Sequence, residues 1–132
     1  MHDIYTSASV EMSSRTLTPL RCRFPRMGAN GLHPGQGNEP SPIRPDEVAA
    51  AMAFLHMFKP TQRAYISSYT LKHAAENWGR TVGLRAYVSN GALILAALLL
   101  GLVVRPYDND GLNPNAAIGV SRADFRRITG AC

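Results

Sequence analysis

Lysine and cysteine are scarce in this sequence. Two lysines, Lys59 and Lys72, stand against twelve arginines, and the two cysteines are Cys22 and Cys132. Cysteines this few and this far apart give neither a metal-ligand spacing nor a CxxC redox pair. A reducing, cytoplasmic setting is the expectation that follows. The sequence also lacks HExxH, a calcium-loop pattern, a GxSxG elbow and a phosphate loop closed by GK[ST]. No catalytic residue, metal ligand or cofactor site is therefore assigned, and the pattern points away from an enzyme. The N-terminus has no basic stretch followed by an apolar run, so no secretion signal is read there.

Charge is absent from one further stretch, Gly91 to Val104. An uncharged run of this length falls short of the roughly seventeen residues needed to span a bilayer. It reads instead as a helix buried in a core, and no membrane partner is expected. From Ala92 to Leu100 every residue is Ala, Ile or Leu. A helix apolar on all sides needs neighbours all round, so it belongs at the centre of the domain or of a homodimer. A monomer with short strands laid over this helix is the alternative.

Composition divides the chain at about residue 44. Residues 1–44 are rich in Ser, Thr, Pro, Gly and Asn, a make-up that is costly to order and offers little to bury. They are expected to form a flexible, disordered arm. Residues 45–132 carry the periodic apolar positions and are expected to form one helical domain. The predicted fold is mainly α: three to four helices around the central apolar one, with a short β-hairpin near the C-terminus.

The first helix should start at Pro45, tolerated there because its missing N–H would be unpaired anyway. Asp46 and Glu47 follow, where negative charge favours the helix dipole. Val48, Met52, Leu55 and Phe58 form its stripe, widened by Ala51 and Phe54, and Pro60 should stop it. A second helix is expected over Ser68–Trp78, with Leu71, Ala75 and Trp78 inward and Gly79 just past its end. Ser89 or Asn90 should cap the apolar helix, and Gly101 should end it. The hairpin is expected from Leu102–Tyr107 and Asn115–Val120 across the Asp108–Gly111 turn. Ser121 should cap a last short helix, with Phe125 and Ile128 facing in and Arg122, Arg126 and Arg127 outside.

The formal net charge is +5. It is spread along the chain without a dense block, a balance that permits attraction to an anionic partner. The second helix and its flanks gather the clearest polar cluster: Arg63, Lys72, His73, Asn77, Arg80 and Arg85 are the candidate nucleic-acid contacts. Groups of this kind position a protein on phosphates without reading bases. The apolar helix, which would occupy the recognition place of a helix-turn-helix unit, has no side chain able to read a base edge. The first functional expectation is thus a small non-enzymatic binding protein meeting nucleic-acid phosphates through a basic helical face. The second is a protein–protein adaptor or inhibitor whose arm orders on its partner. A small enzyme built on His73 and Asn77 is the third.

Overall fold

The computed structural model describes residues 24–35, 37–84, 87–108 and 112–130. Among these residues four helices and three short strands follow one another: α1 (Pro45–Leu55), β1 (Ile66–Ser67), α2 (Ser68–Val82), α3 (Asn90–Leu99), β2 (Val104–Pro106), β3 (Ala116–Ile118) and α4 (Arg122–Thr129).

The uncharged run forms α3. Ser89 caps it, its hydroxyl accepting the Ala92 N–H at 3.1 Å. Gly101 takes φ +76 just beyond its end. From Ala92 to Ala97 no residue is more than 2% exposed. α1 runs along α3, α2 packs against both, and β2 and β3 also touch α3. One copy of the chain thus encloses α3 as far as Ala97, and only Leu98, Leu99 and Leu100 remain half-buried. The expected stripe of α1 is buried throughout, Phe58 included, although the helix itself stops at Leu55. His56 is exposed at its C-terminal cap.

α2 extends four residues past its expected end at Trp78. Gly83, not Gly79, takes the left-handed turn, with φ +76. The Leu84 N–H then reaches back to the Gly79 carbonyl at 2.8 Å, the longer closure of a Schellman ending. Both glycines suit such a turn on sequence alone. Gly79 is buried inside the helix, and Gly83 lies exposed where the chain leaves it.

The expected two-stranded hairpin is corrected to a three-stranded antiparallel sheet in the order β1-β3-β2. Ile66 stands opposite Ile118, which stands opposite Val104, and all three are buried. β3 is buried along its whole length, so an unpaired edge would leave peptide groups away from water. The two residues of β1 supply the missing partners. A strand that short, running directly into a helix cap, has no period to read.

Residues 24–35, within the stretch read as a loose arm, pack against the domain, whereas residues 37–46 are largely exposed. Phe24, Met27 and Leu32 are buried at 8%, 5% and 2% exposure. The expected looseness of residues 1–23 lies outside the described residues. The packed segment is held by backbone bonds: Gly28 and Gly31 exchange a pair, the Gly91 N–H reaches Ala29 O, and the Leu32 N–H reaches Pro114 O. Its glycines, which suggested freedom, permit close approach to the start of α3.

α4 is pinned at its first turn. The Ser121 hydroxyl accepts the Asp124 N–H at 3.1 Å, and the Asp124 carboxylate accepts the Lys59 N–H at 2.8 Å. That backbone donor is the main reason the Asp124 carboxyl titrates below the usual aspartate range; Arg127, 3.2 Å away, adds to it, and burial opposes it. A depressed folded-state pKa stabilises the fold above the unfolded value and is lost as pH falls through the folded one. The Lys59 amide resonance should accordingly titrate with a midpoint below about 3.9, the ordinary aspartate value. An Asp124→Asn protein should show no such titration, and a midpoint above that value would contradict the assignment.

Candidate functional site

Two hollows flank α2, and its exposed residues form the ridge between them. On one side is a groove of about 500 Å³ to which four separate stretches contribute: residues 29–35, Tyr69 and Lys72 of α2, Tyr87 and Asn90 around the start of α3, and Pro114 with Asn115 before β3. On the other side is a hollow of about 400 Å³ between α2 and α4. Phe54, Trp78, Phe125 and Ile128 give it apolar walls, with His73 and Asn77 among its polar groups.

Two buried carboxylates set the groove's geometry from behind. Glu47, on the first turn of α1, accepts the Ser89 N–H at 2.9 Å. Glu76, on α2, accepts the Val88 N–H at 3.1 Å. Consecutive amides are thus held by acids from two different helices, and Tyr87 is fixed immediately before them. Glu76 also pairs with Lys72, whose Nζ lies 3.4 Å from Oε2, and with His73 Nδ1 at 3.2 Å. The Lys72 ammonium lies 5.5 Å from the centre of the Tyr69 ring and 5.3 Å from that of Tyr87, within reach of a cation–π attraction.

Asn90 ties the walls together. Its Nδ2 donates to Asn30 O at 2.9 Å, Pro114 O at 3.1 Å and Asn115 Oδ1 at 3.0 Å. The two backbone carbonyls fix which end of the amide is nitrogen, and Oδ1 is left buried without a hydrogen-bond partner among the described residues. His33 accepts the Gly35 N–H on Nδ1 at 3.0 Å, which places the ring proton on Nε2 as a donor.

The structure separates the five described residues of the six that sequence reasoning grouped. Lys72 is buried at 7% exposure and paired with Glu76, so it lies in the groove wall and not on the outer face. His73, Asn77 and Arg80 are exposed along one side of α2, with the Arg80 guanidinium donating to Asn77 Oδ1 at 2.7 Å. Arg63 is exposed in the loop before β1. It lies two residues from Tyr65, whose ring carries the Arg122 guanidinium at 4.4 Å. Arg85 is outside the described residues. Among the described residues, Arg63, Arg80, Arg105, Arg122 and Arg126 have no carboxylate within 4.0 Å, in contrast to Arg26, Arg44 and Arg127.

Sequence reasoning missed Tyr69, Tyr87, Asn90, Asn115 and His33 as one constellation. Tyr69 and Lys72 are three apart on α2, a spacing that can be read. The others come together only through tertiary contacts between segments about 25 to 60 residues apart.

The hollow between α2 and α4 places His73 near threonines, but Thr81 donates its hydroxyl to Trp78 O and Thr129 to Phe125 O. Among the described residues no hydrogen bond joins the imidazole to Thr70, Thr81 or Thr129. Among the described residues no three His, Cys, Asp or Glu side chains converge to hold a metal, and no helix is long and apolar enough to cross a membrane. No protein-family model, curated protein sequence or solved structure matches the chain.

Proposed function

We propose that this is a non-enzymatic binding protein that takes single-stranded nucleic acid across the exposed face of α2. The observation that carries this reading is the set of exposed arginines without acidic partners among the described residues, together with half-exposed tyrosines. The Arg122 guanidinium lies 4.4 Å from the Tyr65 ring centre and His73 meets Tyr69 edge-on at 4.5 Å, with Arg80 exposed farther along α2. Guanidinium groups engage phosphates in pairs of hydrogen bonds, and tyrosine faces stack on unpaired bases regardless of sequence. A duplex fits less well, because α3, which would occupy the recognition place of a helix-turn-helix unit, is buried.

Fluorescence anisotropy with a labelled single-stranded oligonucleotide tests the reading. Binding should weaken steeply with salt, and Arg80→Ala should reduce the logarithmic salt slope by about one. Absence of binding at low salt, where the phosphate contribution is strongest, would refute it. Binding of a protein instead, centred on the Trp78–Phe125 hollow, is the competing outcome. It predicts that Phe125→Ala abolishes partner capture while Arg80→Ala leaves it intact.

A further inference from the structure

We propose that the groove beside α2 is a pocket for a single nucleotide, a planar base carrying a phosphate. The proposal deepens the nucleic-acid reading and rests on it only for the choice of aromatic anion.

The chemistry lining the groove is one-sided. Lys72 supplies an ammonium, His33 an Nε2–H, and Asn115 and the two tyrosines further polar groups, whereas among the described residues no acidic side chain lines it. The Lys72 ammonium is shared with Glu76 behind the wall, 3.4 Å away, and its third hydrogen together with the neighbouring neutral donors suits an anion on the groove side. Tyr69 and Tyr87 are 52% and 54% exposed, so each offers ring surface to a guest. A base stacks on such rings, and the phosphate it carries comes within reach of the cation between them. The groove's volume of about 500 Å³ falls in the usual range for small-molecule sites, roughly 300–1,000 Å³.

Asn90 adds an independent observation. It lines the groove, is 7% exposed, and keeps a buried Oδ1 with no donor among the described residues. A buried acceptor is seldom left without a partner.

The walls are also held before any guest arrives. Gly31, at φ +127, lies so close to Pro114 O and Asn90 Nδ2 that an added Cβ would overlap both. Glu76 fixes Lys72 and the peptide after Tyr87 at once. A site held this way loses little conformational freedom on binding.

The test uses the full chain and ¹H–¹⁵N spectra with adenosine 5′-monophosphate, adenosine and inorganic phosphate as separate probes. The monophosphate should shift the amides of Asn30, Lys72, Asn90 and Asn115 saturably, and each half-molecule should bind more weakly. Tyr69→Ala and Tyr87→Ala remove exposed side chains and should keep the fold, which the same spectra verify. Each should weaken the monophosphate by about tenfold, consistent with the loss of a base-stacking contact. Unchanged affinity in both variants, or no shifts at the four amides, overturns the pocket. An oligonucleotide that binds through Arg80 without moving those amides overturns the pocket and leaves the nucleic-acid reading standing. Monophosphate binding in the groove with no oligonucleotide binding does the reverse.

Discussion

Replacing Glu76 with alanine should be the most damaging change to a single charged side chain in this protein. Glu76 and Lys72 form a pair whose side chains are 8% and 9% exposed. Removing the carboxylate strands a buried ammonium and also leaves the Val88 N–H without its acceptor. Breaking such a pair from one side costs about 3–5 kcal/mol. For a domain of this size that corresponds to a fall in melting temperature on the order of 15 °C. Glu76→Gln keeps an oxygen for Val88 and should lose less. Pairing Glu76→Leu with Lys72→Met removes both charges together and should recover part of the loss, since hydrophobic replacement of a whole buried pair is often neutral. Urea denaturation of the four proteins distinguishes these cases. A Glu76→Ala protein as stable as the wild type would show that water, not Glu76, satisfies Lys72.

Gly91→Ala should cost about 3 kcal/mol, at the upper end of what overpacking usually exacts. On helix propensity alone the same change would stabilise an exposed helix by roughly 1 kcal/mol, so the sign itself is informative. An added Cβ at residue 91 would overlap Gly28 O, and it would lie 2.7 Å from Gly28 C and 3.0 Å from Ala29 Cα. These are backbone atoms, and the Gly28 peptide is already tied to Gly31 by two hydrogen bonds. They cannot turn aside as the end of a flexible side chain would. Gly83→Ala is the natural control: nothing lies within 4 Å of its added Cβ, and only its φ of +76 is unfavourable. Thermal unfolding should place Gly91→Ala well below Gly83→Ala. The reverse order would mean that the 28–31 turn is not seated on α3 in solution.

Local signals were the ones the sequence displayed. Pro45, Ser89, Ser121 and the apolar stripe of α1 could be read because a cap or a 3.6-residue period involves only near neighbours. The centrality of α3 could be read because no polar face was available to put in water. β1 could not, since its two residues are strand only by virtue of Ile118 beside them. The packed segment 24–35 misled for a related reason. Its glycines have the composition of a loose chain, and the close approaches at Gly28, Gly31 and Gly91 depend on a surface far away in sequence. Lys72 shows the limit for the site: its helical position marked it as polar, but Glu76 one turn on and two tyrosines draw it inward. The spacing of Lys72 and Glu76 was visible, whereas the Val88 amide that makes Glu76 a buried hub was not.

The Asn90 amide has a consequence for how this molecule breathes. Its three hydrogen bonds join the turn at Asn30 to the Pro114–Asn115 peptide, and the Leu32 N–H bonds to the same Pro114 carbonyl. Neither segment can swing away from α3 without severing bonds that hold the other. The N-terminal clasp and the approach to β3 therefore open together, as one cooperative unit of local unfolding. A motion that exposes Leu32 to solvent also releases the strand entrance at Ala116, although more than eighty residues of chain separate them.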